Sequence, residues 1–322
     1  MRAIRIHETG GVEKLRFEDV ASPSPGPGEI RFRLEAAGVN FIDTYKRSGL
    51  YPVELPHTLG QEGAGVVTAV GEGVQEFQAG DRVASAAVIG AYAAEALAPA
   101  AQTVPVPPNV ELKLAAAVML QGMTAHYLAF DTYPLQPGTS ALVHAADGGV
   151  GLLLTQIAKR RGARVLATVG TEEKAQLARD AGADSVCIYS REDFSAAARE
   201  FTKGRGVDVV YDGIGKDTFE GSLNSLRPRG MLVSFGNASG AVPAFQPLIL
   251  SQKGSLFFTR PTLAHYTRTP DELRLRTRDL FVGISDGTLH VRIGKTFPLE
   301  AAGDAHRALE GRATTGKVLL LP

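Results

Sequence analysis

The stretch Ala145-Ala146-Asp147-Gly148-Gly149-Val150-Gly151 separates an apolar run, Ser140 to Ala145, from a segment of helical periodicity, Gly149 to Arg161. Read against G-x-G-x-x-G, it has Ala146 at the first position, Gly148 at the second and Gly151 at the third. Gly148 lets backbone approach a pyrophosphate, and Gly151 lets the helix pack close to the strand. The amides of Gly149 and Val150 then point at phosphate from the positive end of the helix. Glycines alone are a weak signal. Here they stand in the strand-turn-helix setting that dinucleotide binding requires.

The pattern continues outward from this loop. Strands are predicted over Ala163 to Val169, Asp184 to Tyr189, Val207 to Asp212, Gly230 to Phe235 and Ser255 to Thr259. Helices are predicted between them over Thr171 to Ala181, Phe194 to Lys203 and Lys216 to Leu226. Strict strand–helix alternation of this kind is the grammar of an α/β, doubly wound parallel sheet.

The second strand ends at Val169, where an NAD site places an Asp or Glu for the ribose hydroxyls. This chain has Gly170-Thr171, with Lys174 one helical turn on. A small residue followed by a cation suits a 2′-phosphate, so NADPH is the expected cofactor. Glu172 and Glu173 oppose that reading only if they face the phosphate. Acids in the first turn of a helix capped by Thr171 have an ordinary explanation.

Residues 1 to about 120 read as short strands and turns, with a rigid Pro/Gly loop over Ser22 to Gly28 and an extended linker at Pro105, Pro107 and Pro108. Leu112 to Met119 and Thr124 to Phe130 read as helices. Val83 to Ala101 carries one charge, Glu95, but is mostly alanine and interrupted by Gly90 and Pro99. It reads as two short strands around Gly90 rather than a membrane span. The last 60 or so residues leave the alternating pattern, with a charged amphipathic helix over Pro270 to Ile284, and are expected to complete the first domain. The expected division is 1–122, completed by 263–322, against 123–262.

Composition narrows the function. Lys plus Arg and Asp plus Glu are 34 each among 322 residues. A zero balance gives no pull toward nucleic acid or an anionic membrane. The single cysteine, Cys187, permits neither an internal disulfide nor a cysteine-rich zinc lobe. No signal peptide is evident in Met1 to Ile6, so a cytoplasmic setting is expected.

Three motifs carry a family resemblance over essentially the whole chain. The first is Gly38-Val39-Asn40-Phe41-Ile42-Asp43-Thr44-Tyr45, followed by Arg47 to Pro52. The second is Gly60-Gln61-Glu62-Gly63-Ala64-Gly65, running into Val70 to Val74 and Gly80 to Val83. The third is the loop at 145–151. The chain resembles the quinone oxidoreductases, the zinc-free branch of the medium-chain dehydrogenase/reductases that includes zeta-crystallin. The resemblance implies a GroES-like, mainly-β catalytic domain joined to a Rossmann domain. Zinc-dependent relatives have a cysteine near position 40 and a histidine in Gly-His-Glu, whereas this chain has Asn40 and Gln61, which are poor zinc ligands. No metal is expected. Without a Lewis acid, hydride delivery to an already electrophilic acceptor is easier than alcohol oxidation.

The resemblance also implies roles. Asn40, Phe41, Ile42 and Asp43 should lie by the nicotinamide-ribose end, with Asn40, Tyr45, Tyr51 and Thr124 as the catalytic and acceptor-lining set. Thr124 and Tyr127 match residues near the nicotinamide. Gly170, Thr171, Lys174 and Tyr189 should surround the adenosine 2′-phosphate. Gly213, Phe235 and Asn237 stand at strand ends, Phe258 should approach the nicotinamide, and Arg312 matches a cofactor-side arginine. Relatives usually carry a small neutral residue at position 147, so Asp147 is expected to face solvent or to cap the following helix.

The resulting expectation is NADPH-dependent reduction of a quinone without zinc or flavin. Reduction of an alkenal or enone double bond is the same-class alternative, and non-catalytic NADPH sensing is the alternative from another class. His7, His57, His126, His144, His265, His290 and His306 form no spaced cluster, and no Ser-His-Asp machinery is expected. A homodimer is expected through an apolar edge at Ser255 to Thr259.

Overall fold

The computed structural model describes residues 1–322, which form two compact units: Met1–Gln121 with Thr267–Pro322, and Gly122–Tyr266. The sequence places the divisions at 122/123 and 262/263. The first division falls inside one continuous helix, Leu112–Tyr127, which runs on into a π-helical turn at Leu128–Thr132. The two helices expected there are therefore one. Residues 120–123, left between them, continue the helix: Met119 and Met123 on either side of Gln121 are buried, and packing holds the helix together.

The first unit is built on a seven-stranded sheet. Its long central strand, Glu29–Val39, pairs antiparallel with Gly63–Val70 and with the C-terminal strand Lys317–Leu321. The tail thus returns to this unit. A three-stranded sheet carries Arg2–Ile6 between Arg16–Asp19 and His57–Thr58. One core joins Ile4, Phe32, Val67, Val83, Tyr92 and Leu320, all buried. The strands Arg82–Ser85 and Glu95–Pro99 flank Gly90, whose φ is +76°. They do not form a hairpin: the first pairs with Gly63–Val70 and Thr103–Pro105, and the second with Glu29–Val39. The linker expected from Pro105 onward begins as the end of that Thr103–Pro105 edge strand, a place where proline is tolerated.

The second unit is a six-stranded, all-parallel sheet. Its spatial order is Ser185–Ile188, Arg164–Val169, Ser140–Val143, Val207–Asp212, Leu226–Ser234, Phe257–Thr259. Numbered along the chain this is 3-2-1-4-5-6, the doubly wound order. Sheets of this order bind ligands where the order reverses, which here is at the carboxyl ends of Ser140–Val143 and Val207–Asp212.

Candidate active site

Each unit carries candidate residues of its own. In the second unit, the strand Ser140–Val143 ends in a tight turn where Ala145 takes φ 48° and accepts the amide of Gly148 at 2.9 Å. Gly148 is the N-cap of the helix Gly149–Arg160, and no side chain caps that helix. Its first amides are left for an anion. A Cβ on Gly151 would lie 2.3 Å from the Ala145 carbonyl oxygen, so only glycine lets the helix sit this close. An uncapped helix start on glycine, at the reversal point of the sheet, fits a dinucleotide pyrophosphate.

Beside it, Gly170 follows the second strand. A Cβ there would lie 2.9 Å from the Tyr189 hydroxyl, and Ser190 Oγ donates to the Gly170 carbonyl at 3.0 Å. Thr171 caps the helix Glu172–Asp180, accepting from the Lys174 amide at 3.4 Å. Glu172 is drawn along that helix to Arg179 at 2.8 Å. Asp147 departs from expectation. It neither faces solvent nor caps a helix: it is 6% exposed, and its carboxylate lies 2.9 Å from the ammonium of Lys174. The adjacent parallel strands bring these two loops together, and a cation within reach holds the carboxylate.

The later strand ends are also organised. Phe235 lies against Gly213, where a Cβ would come 3.0 Å from the ring. The Asn237 amide bridges the Gly236 carbonyl (2.9 Å) and Arg260 (3.1 Å). Phe258, partly buried, packs with Phe219 and Phe245 against the core of the unit, and Tyr127 stacks on Tyr266 with centroids 4.2 Å apart. Both rings, expected near the nicotinamide, are thus engaged in packing. Thr124 is buried, and Arg312 is an exposed residue with φ 56°. His144 bridges Thr168 (2.8 Å) and Ser222 (3.0 Å), and burial lowers its pKa. Ser222 donates to Asp212 at 2.9 Å. A serine fully buried, with its hydroxyl given to a carboxylate, is a strut and not a nucleophile.

In the first unit, the segment at 40–47 meets the Gly60 to Gly65 motif and the C-terminal strand. Asn40 N-caps the helix Phe41–Ser48, and its amide NH donates to Asp43 at 2.9 Å. The Asn40 side chain is engaged on both sides: Nδ2 donates to Glu62 at 2.7 Å, and Oδ1 accepts from Lys317 at 2.8 Å and Gln121 at 3.3 Å. Lys317 also donates to Glu62, and the other Glu62 oxygen accepts the Leu120 amide at 2.6 Å. Asn40 is therefore a buried pivot rather than an open substrate contact. Gln61 accepts from Lys46 at 3.0 Å. Both positions that hold metal ligands in zinc-dependent relatives thus receive lysine ammonium groups. No group of three or more His, Cys, Asp or Glu side chains is arranged to hold a metal.

A second chain of contacts was not legible in the sequence. Arg47 donates to His306 Nδ1 at 3.1 Å and forks onto Glu310 at 2.7 and 3.1 Å. His306 Nε2 meets the Tyr92 hydroxyl at 3.0 Å, and that hydroxyl donates to Asp43 at 3.1 Å. Because arginine only donates, His306 Nδ1 accepts, Nε2 carries the proton, and every donor points toward Asp43. Burial raises the Asp43 pKa to about 6, and its Oδ1 is buried without a partner. Burial, and then Arg47, lower His306 to about 3. Next to this chain, Tyr45 is buried edge-on to the half-buried Tyr51 at 5.3 Å, with Phe41 at 6.2 Å from Tyr45.

These two units define a medium-chain dehydrogenase/reductase. Residues 26–108 match the alcohol dehydrogenase GroES-like domain family, and residues 149–273 match the zinc-binding dehydrogenase family. The quinone oxidoreductase of Pseudomonas aeruginosa is 47% identical, covering 100% of this chain and 99% of its own length. A 2-haloacrylate reductase from a Burkholderia species is 45% identical, covering 98% of each. The Escherichia coli quinone oxidoreductase, solved in complex with NADPH, superposes with a TM-score of 0.98 at 45% identity over 100% of both chains. The chain belongs to the quinone oxidoreductase family.

Proposed function

We propose that this protein is an NADPH:quinone oxidoreductase that works without zinc or flavin. One observation carries the reading most directly. Asn40 and Glu62 are locked together by the buried ammonium of Lys317, so the position where zinc-dependent relatives supply a cysteine serves here as a structural pivot. An enzyme built this way suits an acceptor that is already electrophilic.

Bound NADPH supplies the hydride. Gly148, Gly149 and Val150 would hold the pyrophosphate at the helix N-terminus, and Gly170, Thr171, Lys174 and Tyr189 would hold the adenosine 2′-phosphate. Gly213, Phe235 and Asn237 would border the rest of the coenzyme. Phe41, Ile42, Asp43 and Thr124 are proposed for the nicotinamide-ribose end, and Tyr45 and Tyr51 for the flat acceptor. Asn40 fixes the start of the helix Phe41–Ser48 and so the direction of the side chains it carries, Phe41, Ile42, Asp43 and Tyr45. Positioning of this sort is most of what hydride transfer asks of a protein.

A second reading, reduction of a conjugated carbon–carbon double bond, is favoured by the similarity to the 2-haloacrylate reductase. Coenzyme oxidation with a para-quinone and a conjugated enal in parallel, with NADPH and NADH and with chelator, separates the two. Quinone turnover with NADPH, indifferent to chelator, is expected. Turnover with the enal alone would move the function to double-bond reduction, and binding without turnover would point to a sensor.

The edge strand Phe257–Thr259, with Phe257 57% exposed, is proposed as the contact of a homodimer. Sedimentation of the protein and of Phe257→Lys tests it. A cytoplasmic location is proposed as well. No helix is long and apolar enough to cross a membrane, and the lone thiol of Cys187 is buried, with its pKa pushed up to about 11 chiefly by that burial.

A further inference from the structure

The second parallel strand ends without the carboxylate that would bind a free ribose. The cation one helical turn on, Lys174, is held by a carboxylate from the neighbouring loop, Asp147, at 2.9 Å. Both side chains are largely buried, 18% and 8% exposed, so the pair is poorly screened by water. Their positions are fixed independently of the pair. Asp147 belongs to the turn closed by Gly148 and tied to the second strand by the Ala146 amide on the Thr168 carbonyl at 3.1 Å. Lys174 belongs to the helix capped by Thr171.

We propose that Asp147 is a specificity-determining residue of the coenzyme site. By neutralising Lys174 it weakens the preference for the 2′-phosphorylated dinucleotide over the unphosphorylated one. The proposal rests on the NADPH reading and deepens it. A dianionic phosphate approaching Lys174 meets an ion pair in place of a bare cation, and must either share the ammonium with Asp147 or displace it. Two other charges stand near this helix start. Glu173 reaches back to the Thr171 hydroxyl and adds negative charge, and Arg191 lies within electrostatic reach of Glu173. An unphosphorylated ribose does not need the cation, so its binding is the less affected.

The test is titration calorimetry of NADPH and NADH with the full chain, wild type against Asp147→Asn, Lys174→Ala and the double variant. Asparagine keeps an acceptor for the ammonium and removes only the charge, and Asp147→Ser with a melting curve guards against a folding defect. The Asp147→Asn variant is expected to raise the ratio of NADPH to NADH affinity on the order of tenfold. The gain should vanish when Lys174 is also removed. Equal tightening of both coenzymes would overturn the proposal by assigning Asp147 to the pyrophosphate. An unchanged ratio, or a gain that survives without Lys174, would overturn it too. If instead the wild type prefers NADH while Asp147→Asn still raises the ratio through Lys174, the NADPH reading fails and the role of Asp147 stands.

Discussion

Lys317 and Glu62 form an ion pair in which both partners are withdrawn from solvent, 1% and 0% exposed. The contact ties the C-terminal strand to the Gly60 to Gly65 motif and, through Asn40, to the start of the helix Phe41–Ser48. Removing one member of a buried pair leaves an uncompensated charge, which costs about 3–5 kcal/mol. Lys317→Met is therefore expected to lower the urea midpoint sharply. Adding Glu62→Gln, which removes the orphaned charge and keeps the Leu120 amide bonded, should restore more than half of the loss. Equal destabilisation of the single and double variants would show that the charge is not the cause.

Asp43 and His306 make opposite demands on pH through the Tyr92 hydroxyl that joins them. Burial raises the folded pKa of Asp43 to about 6, against about 4 in the unfolded chain. The fold therefore keeps a proton the unfolded chain has lost, and stability falls as pH rises from about 4 to about 6. His306 has a folded pKa of about 3, against about 6.5 unfolded, so its contribution is lost as pH falls from about 6.5 toward 3. The two slopes oppose each other. Between pH 4 and 6, the stability of Asp43→Asn should rise more steeply with pH than that of wild type, and that of His306→Gln should fall, each measured by urea unfolding. Parallel curves for all three proteins would contradict the assignment.

Tyr45 and Tyr51 are edge-on neighbours with different burial, and their substitutions should separate accordingly. Tyr45→Ala opens a cavity in packed surroundings and is expected to cost about 3 kcal/mol of stability. Tyr51→Ala should leave the fold nearly intact and raise the KM for a quinone about fivefold, the equivalent of one aromatic contact. Tyr51→Phe should keep the KM near wild type if stacking rather than the hydroxyl serves the acceptor. A Tyr51→Ala variant with unchanged KM would remove Tyr51 from the acceptor site.

What could be read in the sequence was local. The alternation of strands and helices after Ser140 depends on spacing within about 15 residues, and Gly148 and Gly151 sit inside one turn, so periodicity and loop chemistry were enough to find them. The polar contacts within each unit are not local. Lys317 meets Asn40, His306 meets Tyr92, and Lys174 meets Asp147 only because separate strands and helices have docked. No periodicity announces such a meeting, and a scattered set of histidines gives no hint that one of them orients a tyrosine on a buried carboxylate. The same limit explains Glu95–Pro99, which follows Arg82–Ser85 across a glycine turn yet pairs with Glu29–Val39. It also explains Tyr127 and Phe258, whose residue types suit either a ligand face or a core and whose ring contacts, with Tyr266 and Phe245, come from segments distant in the chain.

Gly151 offers the most direct test of the coenzyme loop. A methyl group there would lie 2.3 Å from the Ala145 carbonyl oxygen and 2.6 Å from the Ala146 Cα, both backbone atoms that cannot swing aside. Gly151→Ala must push the helix Gly149–Arg160 away from the strand that precedes it. Overpacking of this kind costs about 1–3 kcal/mol. The displacement also moves the first helical amides, and a shift of that size at a phosphate site is expected to weaken NADPH binding by about tenfold or more. Fluorescence titration with NADPH, alongside a melting curve, reads both effects. A variant that melts earlier but binds NADPH as tightly as wild type would show that the pyrophosphate does not depend on this helix start.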